Sequence, residues 1–168
     1  MTLEIALDAD EDWDSSRSWQ RIVREAAEAA IAESAYPDLG LSDRPVEISV
    51  SLSGNDQVHE LNAKWRGKDK PTNVLSFPMA DERDFEHENV AVGELLLGDI
   101  ILARGVCEVE AADKGISVEQ HAAHLLVHGT LHLLGYDHHL ESEAADMEAR
   151  EVRALARLGI ANPYEVAA

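Results

Sequence analysis

The chain has 168 residues, 45% of them hydrophobic and 28% charged. This composition predicts one folded domain over 1–168 and excludes a disordered or collagen-like chain. Fourteen Lys and Arg against 33 Asp and Glu give a net charge of −19, which disfavours contact with DNA, RNA or anionic membranes over most of the surface. A single cysteine, Cys107, excludes an internal disulfide and a thiolate zinc cluster. No apolar run is long enough to span a bilayer and the first residues are acidic, so we expect a soluble, cytoplasmic protein that does not contact membranes.

Hydrophobic periodicity along the chain predicts an alternation of strands and helices. The clearest strand is 46–52, where apolar and polar residues alternate. Ser117 and Gln120 match a capping box at the start of a long helix, and Gly135 ends that helix. We therefore expect a single α/β (α+β) domain with a small mixed sheet of about four strands, helices packed on it and a zincin-like helix that carries histidines. In chain order, the predicted elements are a strand over 2–7, a helix over 18–34, a strand over 46–52, a helix over 57–65, strands over 74–77 and 92–102, and helices over 102–114, 117–134 and 141–158.

Six of the eight histidines lie between residues 121 and 139. His128 and His132 are four residues apart in a predicted helix, so both imidazoles leave the same face and can reach one ion. A glycine after the helix can take the left-handed conformation that reverses the chain. Gly135 is therefore expected to bring His138 back over the helix face as a third ligand.

Three neutral imidazoles leave one tetrahedral position for water, as in catalytic zinc sites. The sequence thus predicts one Zn²⁺ bound by His128, His132, His138 and a water molecule. His139 is a less favoured ligand than His138. His124 lies on the same face, but about 12 Å along the helix axis from His132. His124 either orients a ligand histidine through a hydrogen bond or packs in the core.

Three segments carry a resemblance to a known family. Residues 128–138 read HGTLHLLGYDH and resemble the HGxLHLxGYDH signature of the YbeY family. Residues 61–78, LNAKWRGKDKPTNVLSFP, are similar to its LNxxYRxKDxPTDVLSFP stretch, and 97–100 to its LGDI strand end. Trp65 and Asn73 stand where the family has Tyr and Asp, and Asn73 removes a negative charge.

The resemblance implies a zinc-dependent endoribonuclease specific for single-stranded RNA. It would act in ribosomal RNA processing, at the 3′ end of 16S ribosomal RNA, and in ribosome quality control, with a ribosomal subunit or assembly factors as partners. Two alternatives stay open: a noncatalytic, zinc-stabilised ribosome-assembly factor, and a zinc metallopeptidase. The peptidase is disfavoured because those enzymes carry a Glu general base directly after the first histidine, and Gly129 stands there. No general base is assigned, and Asp137 is a weak candidate.

A cluster of cations provides the local exception that RNA binding requires. Lys64, Arg66, Lys68 and Lys70 are four of the fourteen basic residues. Arg66 matches the arginine of the family stretch, and we expect it to be catalytic, because its planar fork can contact phosphate through two hydrogen bonds. Trp65 either stacks on an unpaired base or packs in the core, and we expect the core.

Other residues carry weaker hypotheses. Asp99 either supports a ligand histidine or caps the helix that follows its strand. Cys107 is expected to be buried and inert. Ser76 has no neighbouring base in the sequence, so we do not expect a nucleophile there.

Overall fold

The computed structural model of the chain describes residues 3–10, 13, 18–40, 45–80, 85, 95–137 and 139–164. Four strands within these residues form one sheet in the order β1-β2-β4-β3. Strands β1, β2 and β4 run parallel, and β3 pairs antiparallel with β4. This is the mixed four-stranded sheet that the sequence predicts, with β3 at one edge. The strands are β1 Leu3–Ala9, β2 Val46–Ser53, β3 Val74–Pro78 and β4 Leu95–Ala103.

Five helices in the described residues cover the sheet. On one face, α4 packs on β3 and β4 and is itself covered by α1 and α5. On the other face, α2 and α3 enclose a small cluster of Val58, Leu75 and Ala103. The helices are α1 Trp19–Ala32, α2 Asn55–Arg66, α3 Arg104–Lys114, α4 Val118–Leu133 and α5 Glu141–Arg157, and a 3₁₀ turn spans Pro37–Gly40.

Helix α4 lies at the centre of the domain, and eleven of its sixteen residues are buried. The predicted capping box is present: the Ser117 hydroxyl accepts from the Gln120 backbone N–H, and the Gln120 side chain accepts from the Ser117 N–H. This pairing satisfies backbone donors that the first turn of a helix leaves open. The start of the histidine-bearing helix is thus fixed by two side chains.

A glycine lets α4 approach the sheet closely. A Cβ at Gly129 would lie 3.1 Å from the Ser76 hydroxyl oxygen and 3.1 Å from Ile100 Cγ2. Both distances are tighter than ordinary van der Waals contact. The helix therefore lies directly on β3 and β4, which places His128 and His132 beside the open edge of β3.

Three smaller predictions have clear outcomes. Cys107 is fully buried, and burial raises the pKa of its thiol to about 12, so the expectation of an inert cysteine is confirmed. The helix-capping interpretation of Asp99 is wrong, because Ala103 occupies the N-cap of α3. Asp99 also precedes Ile100, which faces α4, so its side chain leaves the opposite face of the sheet. Within the described residues, no helix is long and apolar enough to cross a membrane.

Candidate functional site

A groove of about 670 Å³ runs between α4 and the edge strand β3. We call the lining residues from α4 and the turn after it the histidine side, and those from α2 to β3 the basic side. The groove brings three cations and one carboxylate together on a chain whose net charge is −19. The histidine side consists of His128, His132, Gly135, Tyr136, Asp137 and His139, and the basic side of Asn62, Arg66, Lys68, Lys70, Thr72, Asn73, Val74, Leu75, Ser76 and Pro78.

The two predicted ligands of α4 point at each other. The Nε2 atoms of His128 and His132 are 3.0 Å apart. Two nitrogen ligands of one tetrahedral zinc ion lie roughly 3.3 Å apart, given Zn–N distances of about 2.0 to 2.1 Å. The spacing of the pair therefore fits a shared ion with a shift of a few tenths of an ångström.

The other ring nitrogen of each histidine is held by an oxygen. His132 Nδ1 lies 2.8 Å from the Tyr136 carbonyl oxygen, and His128 Nδ1 hydrogen-bonds to the Glu151 carboxylate. Because both oxygens are acceptors, both Nδ1 atoms carry a proton, and each ring in its neutral form has its lone pair on Nε2. This is the tautomer that metal-binding histidines adopt, so the donor set fits the expected zinc ion.

The turn after α4 has the conformation that Gly135 predicts. Gly135 has a φ of 97°, its N–H donates to the His132 carbonyl, and the Tyr136 N–H donates to the Leu131 carbonyl. These two bonds form a Schellman motif, which reverses the chain at the end of a helix. The reversal places the Tyr136 carbonyl against His132 and brings Asp137 into the groove.

The third predicted ligand, His138, lies outside the described residues, so its role stays a prediction. Within the described part of the chain, no group of three or more His, Cys, Asp or Glu side chains is placed to hold a metal ion. His139 is 84% exposed, and its Nε2 lies 3.1 Å from Asp137 Oδ2. The described residues thus include two of the three predicted ligands, and Asp137 and His139 both line the groove.

Sequence reasoning missed the carboxylate behind His128. Glu151 lies on α5 and is fully buried. Burial opposes its ionisation, but the nearby His124 and the hydrogen bonds from His128 and Tyr164 outweigh burial and lower its pKa to about 2. A signal was present: Glu151 shares the buried face of an amphipathic helix, where an unpaired carboxylate is strongly disfavoured.

His124 and Tyr164 complete this network. His124 Nε2 lies 3.2 Å from the Tyr164 hydroxyl and 3.6 Å from Glu151 Oε2. The Tyr164 hydroxyl donates to the same carboxylate oxygen. Burial and the Glu151 contact raise the pKa of Tyr164. Of the two interpretations of His124, the geometry favours support of a ligand, because His124 contacts the groups that hold His128.

On the basic side, Asn62 holds the loop that carries the cations. Asn62 is buried in α2; its carbonyl accepts from the Lys68 N–H at 3.2 Å, and its side-chain amide donates to the Lys70 carbonyl at 2.8 Å. His59 Nε2 lies 2.7 Å from Asp69 Oδ1 and ties the loop to α2 a second time. The backbone of the loop is therefore fixed while its lysine side chains stay exposed.

Arg66 lines the groove and also supports β3. One terminal guanidinium nitrogen, Nη2, donates to the Ser76 carbonyl at 2.9 Å, and the guanidinium carbon lies 5.9 Å from the centre of the Phe77 ring. Lys64 does not line the groove, and its ammonium lies 5.2 Å from the Trp65 ring. The predicted cluster of four cations thus supplies three to the groove.

The expectation that Trp65 packs in the core is wrong. Its side chain is 63% exposed. Helix α2 packs through Val58 on a cluster that reaches Leu75 of the edge strand β3. Since no strand lies beyond β3 in the described sheet, the last turn of α2 has no layer to cover Trp65.

The departure at Asn73 is compensated by a carboxylate from another element. The Asn73 amide donates to Glu110 Oε1 at 3.0 Å, and the same oxygen lies 2.8 Å from His121 Nε2. His121 is 2% exposed, and burial lowers its pKa despite the Glu110 contact. An aspartate at position 73 would face Glu110 as a like charge. The negative charge lost at position 73 is therefore present within hydrogen-bond distance, on α3.

Fold and groove together define an α+β domain whose central helix presents a candidate metal centre to a cationic cleft. The family model described as Endoribonuclease YbeY matches residues 7–159. The chain is 50% identical over 165 residues to the Endoribonuclease YbeY of Rhizorhabdus wittichii, with 98% of each chain covered. It is 51% identical over 164 residues to that of Novosphingobium aromaticivorans, with 96% of each covered.

The chain therefore belongs to the Endoribonuclease YbeY family, as the sequence motifs predict. Among solved structures, the fold is similar to the solution structure of TM1509 from Thermotoga maritima, with a TM-score of 0.56, 22% identity and coverage of 93% and 92% of the two chains. This likeness confirms the predicted fold class.

Proposed function

We propose that this protein is a zinc-dependent endoribonuclease that cuts single-stranded RNA in ribosomal RNA processing. The family supports the endoribonuclease activity. The observation that carries the proposal is that the Nε2 atoms of His128 and His132 lie 3.0 Å apart, beside three cations in one groove of an otherwise acidic protein. We propose that the enzyme acts in the cytoplasm on ribosomal RNA, including the 3′ end of 16S ribosomal RNA. It would also act in ribosome quality control, with a ribosomal subunit or assembly factors as partners.

His128 and His132 would hold the zinc ion, with His138 as the proposed third ligand. When bound, the ion supplies Lewis acidity toward a phosphoryl oxygen and lowers the pKa of a bound water. Glu151 and the Tyr136 carbonyl keep the two rings in the ligand tautomer. These two contacts orient the Nε2 atoms of His128 and His132 before substrate binds.

On the basic side, Arg66 would contact the phosphate that is cleaved. Cleavage of a phosphodiester concentrates negative charge on the nonbridging oxygens, and a planar guanidinium can donate to two of them. One Arg66 donor already holds the Ser76 carbonyl, which fixes the direction of the fork. Lys68 and Lys70 extend the positive charge along the groove for neighbouring phosphates. The exposed Trp65 would stack on an unpaired base, which favours single strands.

Two observations disfavour the peptidase alternative. The position of the peptidase general base is Gly129, where a Cβ would already lie 3.1 Å from Ser76 and Ile100, so this site has no space for a glutamate. The groove-facing edge of β3 also offers an extended peptide an incomplete set of hydrogen-bonding groups. Asn73 Oδ1 accepts the Val74 N–H, Arg66 occupies the Ser76 carbonyl, and Pro78 has no N–H.

The test is cleavage of a short unpaired RNA and of its perfect duplex. Protein stripped with a chelator should cut neither RNA, and one equivalent of zinc should restore cleavage of the single strand alone. His139→Ala is the matched control for the ligand set and should keep its zinc. Zinc-loaded protein that cuts neither RNA, with added ribosomal subunits as well, would instead favour the noncatalytic assembly factor.

A further inference from the structure

We propose that Tyr164, in the segment after α5, is a positioning residue of the metal centre that acts on His128 through Glu151. The inference rests on the zinc site proposed above. It assigns a role to a residue outside the motifs of the family resemblance, in the segment that follows the last described helix.

Glu151 is held at both oxygen atoms. One oxygen accepts from His128 Nδ1, and the other accepts from the Tyr164 hydroxyl. A carboxylate that makes one hydrogen bond can still rotate about its last side-chain bond, whereas one held at both oxygens has a fixed plane. Because Glu151 is 0% exposed, solvent does not readily replace Tyr164 as the second donor. The direction of the His128 ring thus depends on a hydroxyl that does not touch it.

The polarity of the network is also determined. A tyrosine hydroxyl has one proton to donate and accepts in return. Tyr164 donates to Glu151, so the His124 Nε2 atom at 3.2 Å is placed to donate to Tyr164. The Glu151 carboxylate only accepts, so His128 must contribute its Nδ1 proton. With the proton on Nδ1, the neutral His128 ring carries its lone pair on Nε2, the atom that would bind the ion.

Local backbone structure brings Tyr164 to this point. Helix α5 ends as α4 does: Gly159 has a φ of 74°, its N–H donates to Ala156, and the Ile160 N–H donates to Leu155. Five residues after this turn, the Tyr164 N–H donates to Asn162 Oδ1 at 2.8 Å. The segment is thus held by its own hydrogen bonds, and the hydroxyl arrives at a defined position.

The exposure of Tyr164 separates this role from simple packing. The residue is 42% exposed, and a phenylalanine at this position would keep the ring that lies edge-on to His124. Its hydroxyl, in contrast, touches both Glu151 and His124. Removal of the hydroxyl should therefore affect the metal centre more than it affects the fold.

The experiment compares Tyr164→Phe with wild-type protein, both stripped of metal. Zinc affinity is measured by competition with a chromophoric chelator, geometry by the visible absorption of the Co²⁺-substituted protein, and stability by the melting temperature of the metal-free form. We expect the zinc dissociation constant to rise roughly tenfold, as for other residues that support a ligand. The Co²⁺ absorption should change, while the metal-free melting temperature should move by less than about 4 °C.

Two further variants sharpen the result. Tyr36→Phe, which removes a hydroxyl from a ring that packs on Phe85, should leave zinc affinity unchanged. Glu151→Gln should weaken zinc at least as much as Tyr164→Phe, and the double variant should be no weaker than Glu151→Gln alone, because Tyr164 acts only through Glu151.

Wild-type zinc affinity and an unchanged Co²⁺ spectrum in Tyr164→Phe would overturn the inference alone, whether or not the melting temperature falls. Additive losses in the double variant would overturn it too. Wild-type protein that binds no zinc would instead overturn the proposed site, and this inference with it.

Discussion

The two sides of the groove are held by different kinds of interaction. On the histidine side, His128 is fixed by the buried side chain of Glu151, which comes from another helix. On the basic side, the loop after α2 is fixed through its backbone by Asn62, and its lysines stay exposed. The histidine side thus has a fixed side-chain orientation, whereas the basic side has a fixed backbone and exposed lysine side chains.

This difference follows from what each side would bind. A metal ion requires ligand nitrogens within a few tenths of an ångström of their ideal distances. A phosphate backbone is attracted over longer distances, and lysine acts on it as a mobile point charge. Arg66 combines the two properties, because one of its donors is held by the Ser76 carbonyl while the residue lines the groove. Changes on the histidine side should therefore have the larger effects.

The largest effect is expected for His132→Ala. It removes one of two facing nitrogens and should weaken zinc binding by more than the roughly hundredfold limit for residues that only support a ligand. Cleavage of single-stranded RNA should be lost with the zinc. The measurement is zinc content after dialysis against a weak chelator, with His139→Ala as the control that keeps its zinc. Full zinc retention in His132→Ala would refute the site.

On the basic side, the double variant Lys68→Gln/Lys70→Gln should lower RNA affinity about tenfold at low salt. Two phosphate contacts are lost, so the slope of log affinity against log salt should become shallower by about 1.4. Zinc affinity should not change, since the proposed ligands of the ion are imidazoles and not ammonium groups. Titration of a fluorescent single-stranded RNA at several salt concentrations measures this, and an unchanged slope would place the RNA elsewhere.

A smaller effect is expected for Trp65→Ala, about fivefold weaker binding of an unpaired RNA, at the low end of a base-stacking contribution. The loss should persist at high salt, because stacking does not release counterions. Trp13 and Trp19 are buried, so Trp65 should dominate quenching of tryptophan fluorescence by RNA. Trp65→Tyr should recover most of the affinity, and equal binding by all three proteins would exclude stacking.

The smallest effect is expected for Gly129→Ala. Alanine is favoured over glycine in a helix by about 1 kcal/mol, but the added methyl group must displace Ser76 or Ile100, which costs about 1 to 3 kcal/mol. We expect a net destabilisation of about 1 kcal/mol, or a melting temperature roughly 3 °C lower. Thermal unfolding of the metal-free protein measures it. A more stable variant would show that α4 is not packed tightly on β3.

The support of the two histidines shows which parts of the site the sequence can predict. His132 is held by the carbonyl of Tyr136, four residues away, and the turn that places it depends on Gly135 alone. Such a local device is visible in the sequence, as are the strands and the capping box. His128 is held by Glu151, 23 residues away on a different helix. That contact depends on how α4 and α5 pack, which periodicity does not determine.

Trp65 and Asn73 show the same limit of prediction from sequence. Helical periodicity predicts a face for Trp65, but its exposure depends on where the sheet ends. The loss of charge at Asn73 is visible in the sequence, whereas its replacement by Glu110 depends on the packing of α3 beside β3. Local chemistry could be predicted, and the partners supplied by distant elements could not.

The most direct test of the account is Arg66→Lys, measured as single-turnover cleavage of a short unpaired RNA beside zinc content and melting temperature. Lysine keeps the charge but loses the planar fork, and loss of one donor to a developing charge typically costs about 3 kcal/mol, or roughly a hundredfold in rate. We predict that loss with full zinc content and a melting temperature lowered by no more than about 4 °C, the contribution of the Ser76 hydrogen bond. Wild-type cleavage by Arg66→Lys, or a parallel loss of zinc, would contradict the division of the groove into a metal-binding side and a phosphate-binding side.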